Sequence, residues 1–336
     1  MFTFDLMVGP GGLDPLVLLL LALAIDAIVG DWRWLYRIVP HPVAVLGGLV
    51  AFLEKRLNRD YRSPMDRAMR GALLVVLMLA LAIAVAYGVL WVGAQHPYGW
   101  LLEAILLVTL IAQRSLWGHV RRVAVALETG GLAAGREAVG HIVGRDAGKL
   151  DDHGVARAAV ESCAENFNDG VVAPVFWYAL FGLPGILVYK TVNTMDSMIG
   201  HMSERYRAFG FVAAKLDDIL NLIPARLSGL MLVLAAIFVP TANPRGALRV
   251  MLRDARKHRS PNAGWPEAAA AGALDLALAG PRFYAHGAVN DPWLGDGTAR
   301  LGAPDIRRML YLYGVGCLID LMAVAALAVL RLTLPS

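Results

Sequence analysis

The sequence predicts an all-α, polytopic integral membrane protein, with roughly 4–6 membrane segments joined by polar helical loops. Three observations predict it. Hydrophobic residues make up 57% of the 336 positions with glycine left out, against roughly 45–50% in soluble domains with glycine counted. Charged residues are only 17%, against about 25% in soluble chains, and mean hydropathy is +0.55. Finally, all 31 Lys and Arg residues fall outside the long apolar runs. These values exclude a disordered chain and argue against an ordinary soluble enzyme.

The elements follow in chain order. Residues 1–15 carry Asp5 and Asp14 but no Lys or Arg, unlike a cleavable signal with its positive n-region. The run at 16–30, apolar except for Asp26, therefore reads as a retained helix. Residues 71–95 hold no charge, and 309–330 hold only Asp320. These three runs are the strong membrane candidates, since about 20 apolar residues cross a ~30 Å hydrocarbon core. Three weaker segments are 100–113, 170–189 and 227–244. The first is short and contains Glu103, so it crosses only if extended or tilted. The second carries Pro174, Gly182, Pro184 and Gly185, and the third ends in Pro240 and Pro244. Each of these two either spans or dips into the bilayer and returns, with broken backbone buried in protein or lining a wet cavity.

The eight basic residues of 31–70 place that segment in the cytoplasm by the positive-inside rule. A short outer turn at His96–Gly99 returns 114–169 to the same side. Residues 190–226 face outward if 170–189 spans; a common cytoplasmic side is favoured because the polar residues read as one site. A multi-pass protein of the cell membrane results. No repeat or linker divides the chain, so 1–336 reads as a single membrane-embedded domain.

The net charge of +4 is mild and the basic residues form no dense run. That suits a membrane-adjacent surface or anionic substrates rather than nucleic acid. Cys163 and Cys317 lie in no metal spacing and read as small buried hydrophobes, not as a disulfide or zinc site. GxxxxGK[ST], GxGxxG after a strand and HExxH are all absent.

Four polar clusters remain. Gly144–Asp152 leads into a helix capped by Asp151 or Asp152. Steps of four put Arg157, Glu161 and Glu165 on one face, with Asn168 and Asp169 at the end. A solvated stripe with one ion pair is the bland reading. A Mg²⁺ and phosphate site is the other, because carboxylates one turn apart suit a hard, oxygen-liganded cation. The second cluster, Tyr189–Gly200, places Asn193, Asp196, Ser197 and Gly200 on one face. Lys190 there either snorkels to the interface or contacts phosphate. The third is Lys215-Leu-Asp-Asp218 with Asn221, Pro224 and Arg226, read as metal and phosphate binding or as a capped helix end with local ion pairs. The fourth runs from Arg256 to Leu274; its Ala/Gly-rich helix must pack closely, and the basic residues before it could receive an anion. His41 reads as structural, whereas Asp26, Glu103 and Asp320 are functional candidates because acids in apolar runs face cavities or bundle interiors.

Five motifs in register resemble one family. They are Gly144-Arg-Asp146; Glu161-Ser-x-Ala-Glu165-Asn166 with Asp169-Gly-Val-Val-Ala-Pro174; Tyr189-Lys-x-Val-Asn-Thr-x-Asp-Ser-Met198; Leu216-Asp-Asp218 with Asn221 and Pro224-Ala-Arg226; and Pro261–Glu267 with Ala271-Gly-Ala-Leu274. From about residue 20 to residue 320 their order and spacing match the cobalamin-biosynthesis family called CobD or CbiB. Two positions depart from the pattern: Trp32 follows Gly30-Asp31 in place of proline, and Ala147 stands where Thr or Ser often follows Gly-Arg-Asp. The resemblance implies adenosylcobinamide-phosphate synthase activity, an ATP-dependent amide ligation of cobyric acid with 1-amino-2-propanol phosphate. It implies ATP and Mg²⁺, an acyl phosphate, corrinoid and aminopropanol phosphate as substrates, the bilayer, and contact with other corrinoid enzymes. On it, Asp146, Glu161, Glu165, Asp169 and Asp196 are candidate catalytic residues. Glu161, Glu165, Asp169, Asp196, Asp217 and Asp218 are candidate metal ligands. Arg145, Lys190, Asn193, Arg226, Asn262 and Trp265 are candidate ligand-binding residues. A corrinoid transporter or a membrane scaffold for corrinoid enzymes is the competing reading.

Overall fold

Four of the described helices begin where a capping side chain meets a proline. Asp14, His41, Ser63 and Asn243 each accept a hydrogen bond from a backbone N–H of the first turn, and proline follows each cap. The missing proline N–H costs nothing at that position, and its fixed φ already suits a helix. The computed structural model describes residues 13–30, 40–143, 147–284 and 287–333. The helices there are α1 (Pro15–Val29), α2 (Pro42–Leu57), α3 (Pro64–Ala94), α4 (Trp100–Leu110), α5 (Gln113–Gly140) and α6 (Asp152–Phe167). They continue as α7 (Ala173–Ile199), α8 (Phe211–Leu220), α9 (Leu222–Phe238), α10 (Pro244–Asp254), α11 (Gly264–Leu274) and α12 (Ala303–Thr333). His41 thus caps a helix, in line with its structural reading.

The protein is an α-helical, multi-pass membrane protein. Among the described residues, four helical runs are long and apolar enough to cross a bilayer: Pro64–Ala94, Trp100–Gly140, Asp152–Ile199 and Ala303–Thr333. A fifth is added if Phe211–Leu220 and Leu222–Phe238 form one bent span. α1 fills the apolar 16–30 run, but its 15 residues rise only about 22 Å. Two runs are interrupted by glycine. Gly131 inside α5 has φ 65°, ψ −161°, and Gly182 inside α7 has φ 62°, ψ −151°. That region is essentially closed to residues with a Cβ. The Pro/Gly-rich 170–189 segment is therefore a helix broken at Gly182, with Pro184 just beyond.

The sequence predicts an all-α chain, and the structure adds a β-hairpin. β1 (Leu278–Tyr284) pairs antiparallel with β2 (Gly287–Leu294), with an irregular register between Ala279 and Pro281. Ala279 and Gly280 there both have positive φ.

The described chain forms two compact units, each assembled from non-contiguous stretches. The first takes residues 1–112, 173–221 and 324–336. Its core is Val50 of α2, Leu74, Val75 and Met78 of α3, and Val192, Met195 and Ile199 of α7, with Phe209 and Ala213. Gly71 lies so close to the Phe209 carbonyl that a Cβ there would stand 1.8 Å from its oxygen. The second unit takes residues 113–172 and 222–323. Its core is built on alanine: Ala268–Ala271 and Ala273 of α11 are buried with Ala156, Ala158, Ala159 and Ala164 of α6. α10 and α11 approach through Gly246 and Gly272, where a Cβ on Gly272 would stand 2.3 Å from the Gly246 carbonyl oxygen. The close burial expected of the Ala/Gly helix is met.

Candidate functional site

In the first unit the candidate residues gather on the C-terminal part of α7 and on α8. Asp217 is the hub. Asn221, one turn on, donates its Nδ2 to Asp217 Oδ2 at 2.9 Å. Asn193 of α7 donates to Asp217 Oδ1 at 3.5 Å. The Tyr189 hydroxyl donates to Asn221 Oδ1 at 3.0 Å, within a buried pair. Two amides thus hold both carboxylate oxygens, and hydrogen bonds to an ionised acceptor are the stronger kind. Trp177 Nε1 adds a tie from α7 to the Leu220 carbonyl at the end of α8.

Neighbouring acids take other roles. Asp218 turns away and pairs with Lys215 at 2.8 Å, which is the local ion pair of the bland reading. Asp196 is half-buried on α7, and Gly200 makes room for it: a Cβ at Gly200 would stand 2.0 Å from Asp196 Oδ1. Lys190 is buried at 8% exposure, so its ammonium does not snorkel to an open surface. Glu103 accepts the Tyr178 hydroxyl at 2.8 Å, and Asp26 is buried on α1.

In the second unit, Asp151 caps α6 through Gly154 N at 2.7 Å, as its position predicted. Arg157, Glu161 and Glu165 lie on one face but meet three environments. Arg157 is half-exposed with its guanidinium over the Trp293 ring at 5.2 Å. Glu161 is 3% exposed, and Glu165 is exposed. Glu161 Oε1 accepts the backbone N–H of Ala279 at 2.8 Å. The acid read as a metal ligand also pins β1 at its irregular residue. Asp169, at the π-helical turn after α6, accepts Asn168 Nδ2 at 2.7 Å. Cys163 is buried and Cys317 half-buried, and neither is in a disulfide. Asp320 of α12 is buried, and its Oδ2 has no hydrogen-bond partner among the described residues.

α9 and α11 bring two further candidates together. The Arg226 guanidinium lies 4.5 Å over the Trp265 ring, a cation–π arrangement, and Arg226 Nη1 donates to the Leu222 carbonyl. Trp265 Nε1 donates to the Pro261 carbonyl at 3.2 Å. Asn262 is buried in the turn that starts α11. Ser260 Oγ accepts the N–H groups of Asn262 and Ala263, both at 3.2 Å. The anion expected before this helix would therefore meet side chains rather than those amides.

The acids fall in both units: Glu161, Glu165 and Asp169 in the second, Asp196, Asp217 and Asp218 in the first. Arg145 and Asp146 lie outside the described residues. Among the described residues, no three His, Cys, Asp or Glu side chains are grouped so as to hold a metal ion. Mg²⁺ needs no such cage; one or two carboxylates plus substrate phosphate oxygens suffice. Asp196 and Asp169, both half-buried, suit that open mode. Asp217 suits it less, with both oxygens engaged by amides.

Sequence reasoning missed two polar centres. Glu54 of α2, buried, accepts Arg205 Nη2 at 2.8 Å and Asn58 Nδ2 at 3.0 Å. That carboxylate holds the Arg205 guanidinium above its ordinary pKa. Arg67 of α3 completes the clasp through Asn58 Oδ1 and the Arg205 carbonyl. Only the i,i+4 spacing of Glu54 and Asn58 hinted at it. The second is Asp254, wholly buried at the end of α10. It accepts Arg253 Nε at 2.8 Å and Nη2 at 2.6 Å, and Gly295 N at 2.9 Å, and it pairs with Lys257 Nζ at 2.6 Å. Burial pushes its carboxyl up, but the Arg253, Lys257 and Gly295 hydrogen bonds prevail and hold it well below the ordinary range.

The CobD/Cbib protein family model matches residues 19–313 of this chain. A Sinorhizobium relative named Cobalamin biosynthesis protein CobD is 49% identical over 320 residues, covering 94% of this chain and 98% of its own. A relative of the same name from Rhodobacter capsulatus is 48% identical over 314 residues, covering 91% and 97%. One from Brucella suis is 47% identical over 304 residues, covering 89% and 92%. No solved structure matches the chain.

Proposed function

Because this chain belongs to the CobD/CbiB family, we propose that it works in cobalamin biosynthesis as an ATP-dependent acid–amine ligase. The bond made is an amide between the propionate carboxylate of (adenosyl)cobyric acid and the amine of 1-amino-2-propanol phosphate. The family match over 19–313, carrying all five motifs, is the observation that bears the reading.

Carboxylate and ammonium do not condense in water. In the proposed sequence a propionate oxygen attacks the γ-phosphorus of ATP, and ADP leaves. The acyl phosphate formed has a good leaving group. The ammonium of the second substrate gives its proton to a carboxylate, the neutral amine attacks the acyl carbon, and phosphate departs. Phosphoryl transfer asks a protein mainly for positioning and charge neutralisation. Mg²⁺ bound to ATP would supply charge neutralisation. Asp196 in the first unit and Asp169 in the second are each suited to hold it, with Glu165 the exposed acid for proton transfer. Lys190 and Asn193 in the first unit, and Arg226 in the second, are each suited to contact phosphate oxygens, arginine in forked geometry. The chain would work in the cell membrane with its site on the cytoplasmic side, where ATP is available.

The test is a ligation assay on detergent-purified protein given adenosylcobyric acid, aminopropanol phosphate, ATP and Mg²⁺, with the amide detected by mass. Product that requires both ATP and Mg²⁺ is expected, with turnover lost in Glu165→Gln and Asp196→Asn. Wild-type rates in both variants would remove those residues from the site. Absence of product from folded, corrinoid-binding protein would overturn the ligase reading in favour of carriage or scaffolding.

A further inference from the structure

The stretch Arg253–Arg259 is dense in cations, and nearly all are matched to acids. Arg253 pairs with Asp254 and Asp296, Lys257 with Asp254, and Arg259 with Asp291 at 3.8 Å, while the His258 ring lies 3.7 Å from Glu267. Arg256 is the exception: it has no carboxylate within ion-pair distance among the described residues. Arg226 of α9 likewise has none, and both residues meet the start of α11: the Arg226 guanidinium lies over the Trp265 ring, and Ala255, next to Arg256, packs its carbonyl against Gly264. Both are exposed. Two cations without acids are brought to one helix start only if packing imposes it. Here it does. Trp265 holds Arg226 beneath its face. The Arg256 turn is pressed onto α11, where a Cβ on Gly264 would stand 2.1 Å from the Ala255 carbonyl oxygen. α9 closes on the same helix at Gly229, where a Cβ would stand 3.1 Å from the Trp265 carbonyl oxygen.

We propose that Arg226 and Arg256 form a clamp for one phosphate group, with Trp265 as the residue that positions Arg226. Guanidiniums are suited to forked contacts with phosphate oxygens. Like charges held at one helix start without acids are relieved by a dianion between them. The Ser260 hydroxyl already occupies the Asn262 and Ala263 amides, so the two side chains carry the recognition. The clamp rests on the ligase reading only for the identity of its phosphate, which would belong to ATP or to the amino alcohol.

The test is calorimetry on the full chain in nanodiscs without corrinoid, so that no turnover occurs. The probes are inorganic phosphate, ATP and 1-amino-2-propanol phosphate. Arg256→Gln and Arg226→Gln should each weaken one phosphate ester about 10- to 100-fold, and the ester affected identifies the occupant. Trp265→Leu should weaken the same ester, and Trp265→Phe should restore most of it, whereas a merely structural role would leave its affinity unmoved. Arg259→Gln, whose cation is already matched, should change nothing. Unchanged affinities for all three probes in folded Arg256→Gln would overturn the clamp. So would variants that lose only retention of anionic lipid, compared between phosphatidylglycerol and phosphatidylcholine nanodiscs. The two readings fail separately. Arginine-dependent phosphate binding without amide product sinks the ligase and keeps the clamp. Amide product with wild-type KM for both phosphate substrates in Arg256→Gln sinks the clamp and keeps the ligase.

Discussion

Removing the carboxylate of Asp254 should destabilise the protein by an amount that disappears in acid. Asp254 is wholly buried and receives hydrogen bonds from Arg253 and Gly295, with Lys257 paired to it. Hydrogen bonds to charged groups are worth about 1.5–3 kcal/mol each. The side chains of Arg253 and Lys257 are 41% and 45% exposed, so both regain water when the acid goes, and their share falls toward surface values. The buried Gly295 N–H has no such recourse, and leaving it unmet costs about 1–3 kcal/mol. Together these give about 3–4 kcal/mol for Asp254→Ala. Asp254→Asn keeps one acceptor and should cost about 2 kcal/mol. At the low end of 2–4 °C per kcal/mol, the alanine variant should melt roughly 6–8 °C lower in mild detergent at pH 7. The pH dependence fixes the cause. The folded-state pKa is depressed, so the stabilisation is complete above the unfolded value of about 3.9 and is lost as pH falls through the folded value. The gap between wild type and variant should begin to narrow below about pH 4 and close only as pH falls through the depressed folded value. A gap that does not narrow below about pH 4, or none at neutral pH, would refute the reasoning.

Three further outcomes are expected. Gly182→Ala forces a Cβ into φ 62°, ψ −151° and should cost about 1–3 kcal/mol in detergent melts. Gly88→Ala, in open space on α3, should be neutral or stabilising by up to about 1 kcal/mol, and equal behaviour of the two would contradict the break in α7. Asp217→Asn removes the charge that the Asn193 and Asn221 amides hold. Turnover in the ligation assay should fall more than about tenfold while stability drops by about 1–3 kcal/mol; unchanged turnover would make the network purely structural. Asp320→Asn removes a buried carboxylate with a bare Oδ2, and thermal stability should rise by about 1 kcal/mol or more. A lower melting temperature would mean that this acid is satisfied in the membrane.

Class and spans were legible because hydropathy acts over whole segments: the uncharged 71–95 run lies in α3 up to its C-cap Gln95, and 309–330 lies within α12. Local chemistry was also legible, as with Asp151 capping α6 and Gly182 breaking α7. The hairpin was not. Gly280, Pro281 and Pro292 lower strand propensity throughout β1 and β2, and what anchors the pair is Glu161, 118 positions from Ala279. The candidate site divides the same way. Asp217 and Asn221 are one turn apart and declared themselves. Tyr189 and Asn193 reach them only through the packing of α7 on α8. Arg256 looked like one basic residue among many, because which cations find acids is decided in three dimensions.

The alanine surface of α11 has a practical consequence for mapping this protein by mutation. Ala268–Ala271 and Ala273 are buried in the centre of the second unit, yet an alanine scan would pass over them in silence. Truncation has nothing there to truncate, and a map drawn that way would show a blank where tolerance is lowest. The informative scan adds atoms. Substitution to serine, then valine, would measure how much volume each seam accepts, and Gly246 and Gly272, backbone against backbone, should accept least.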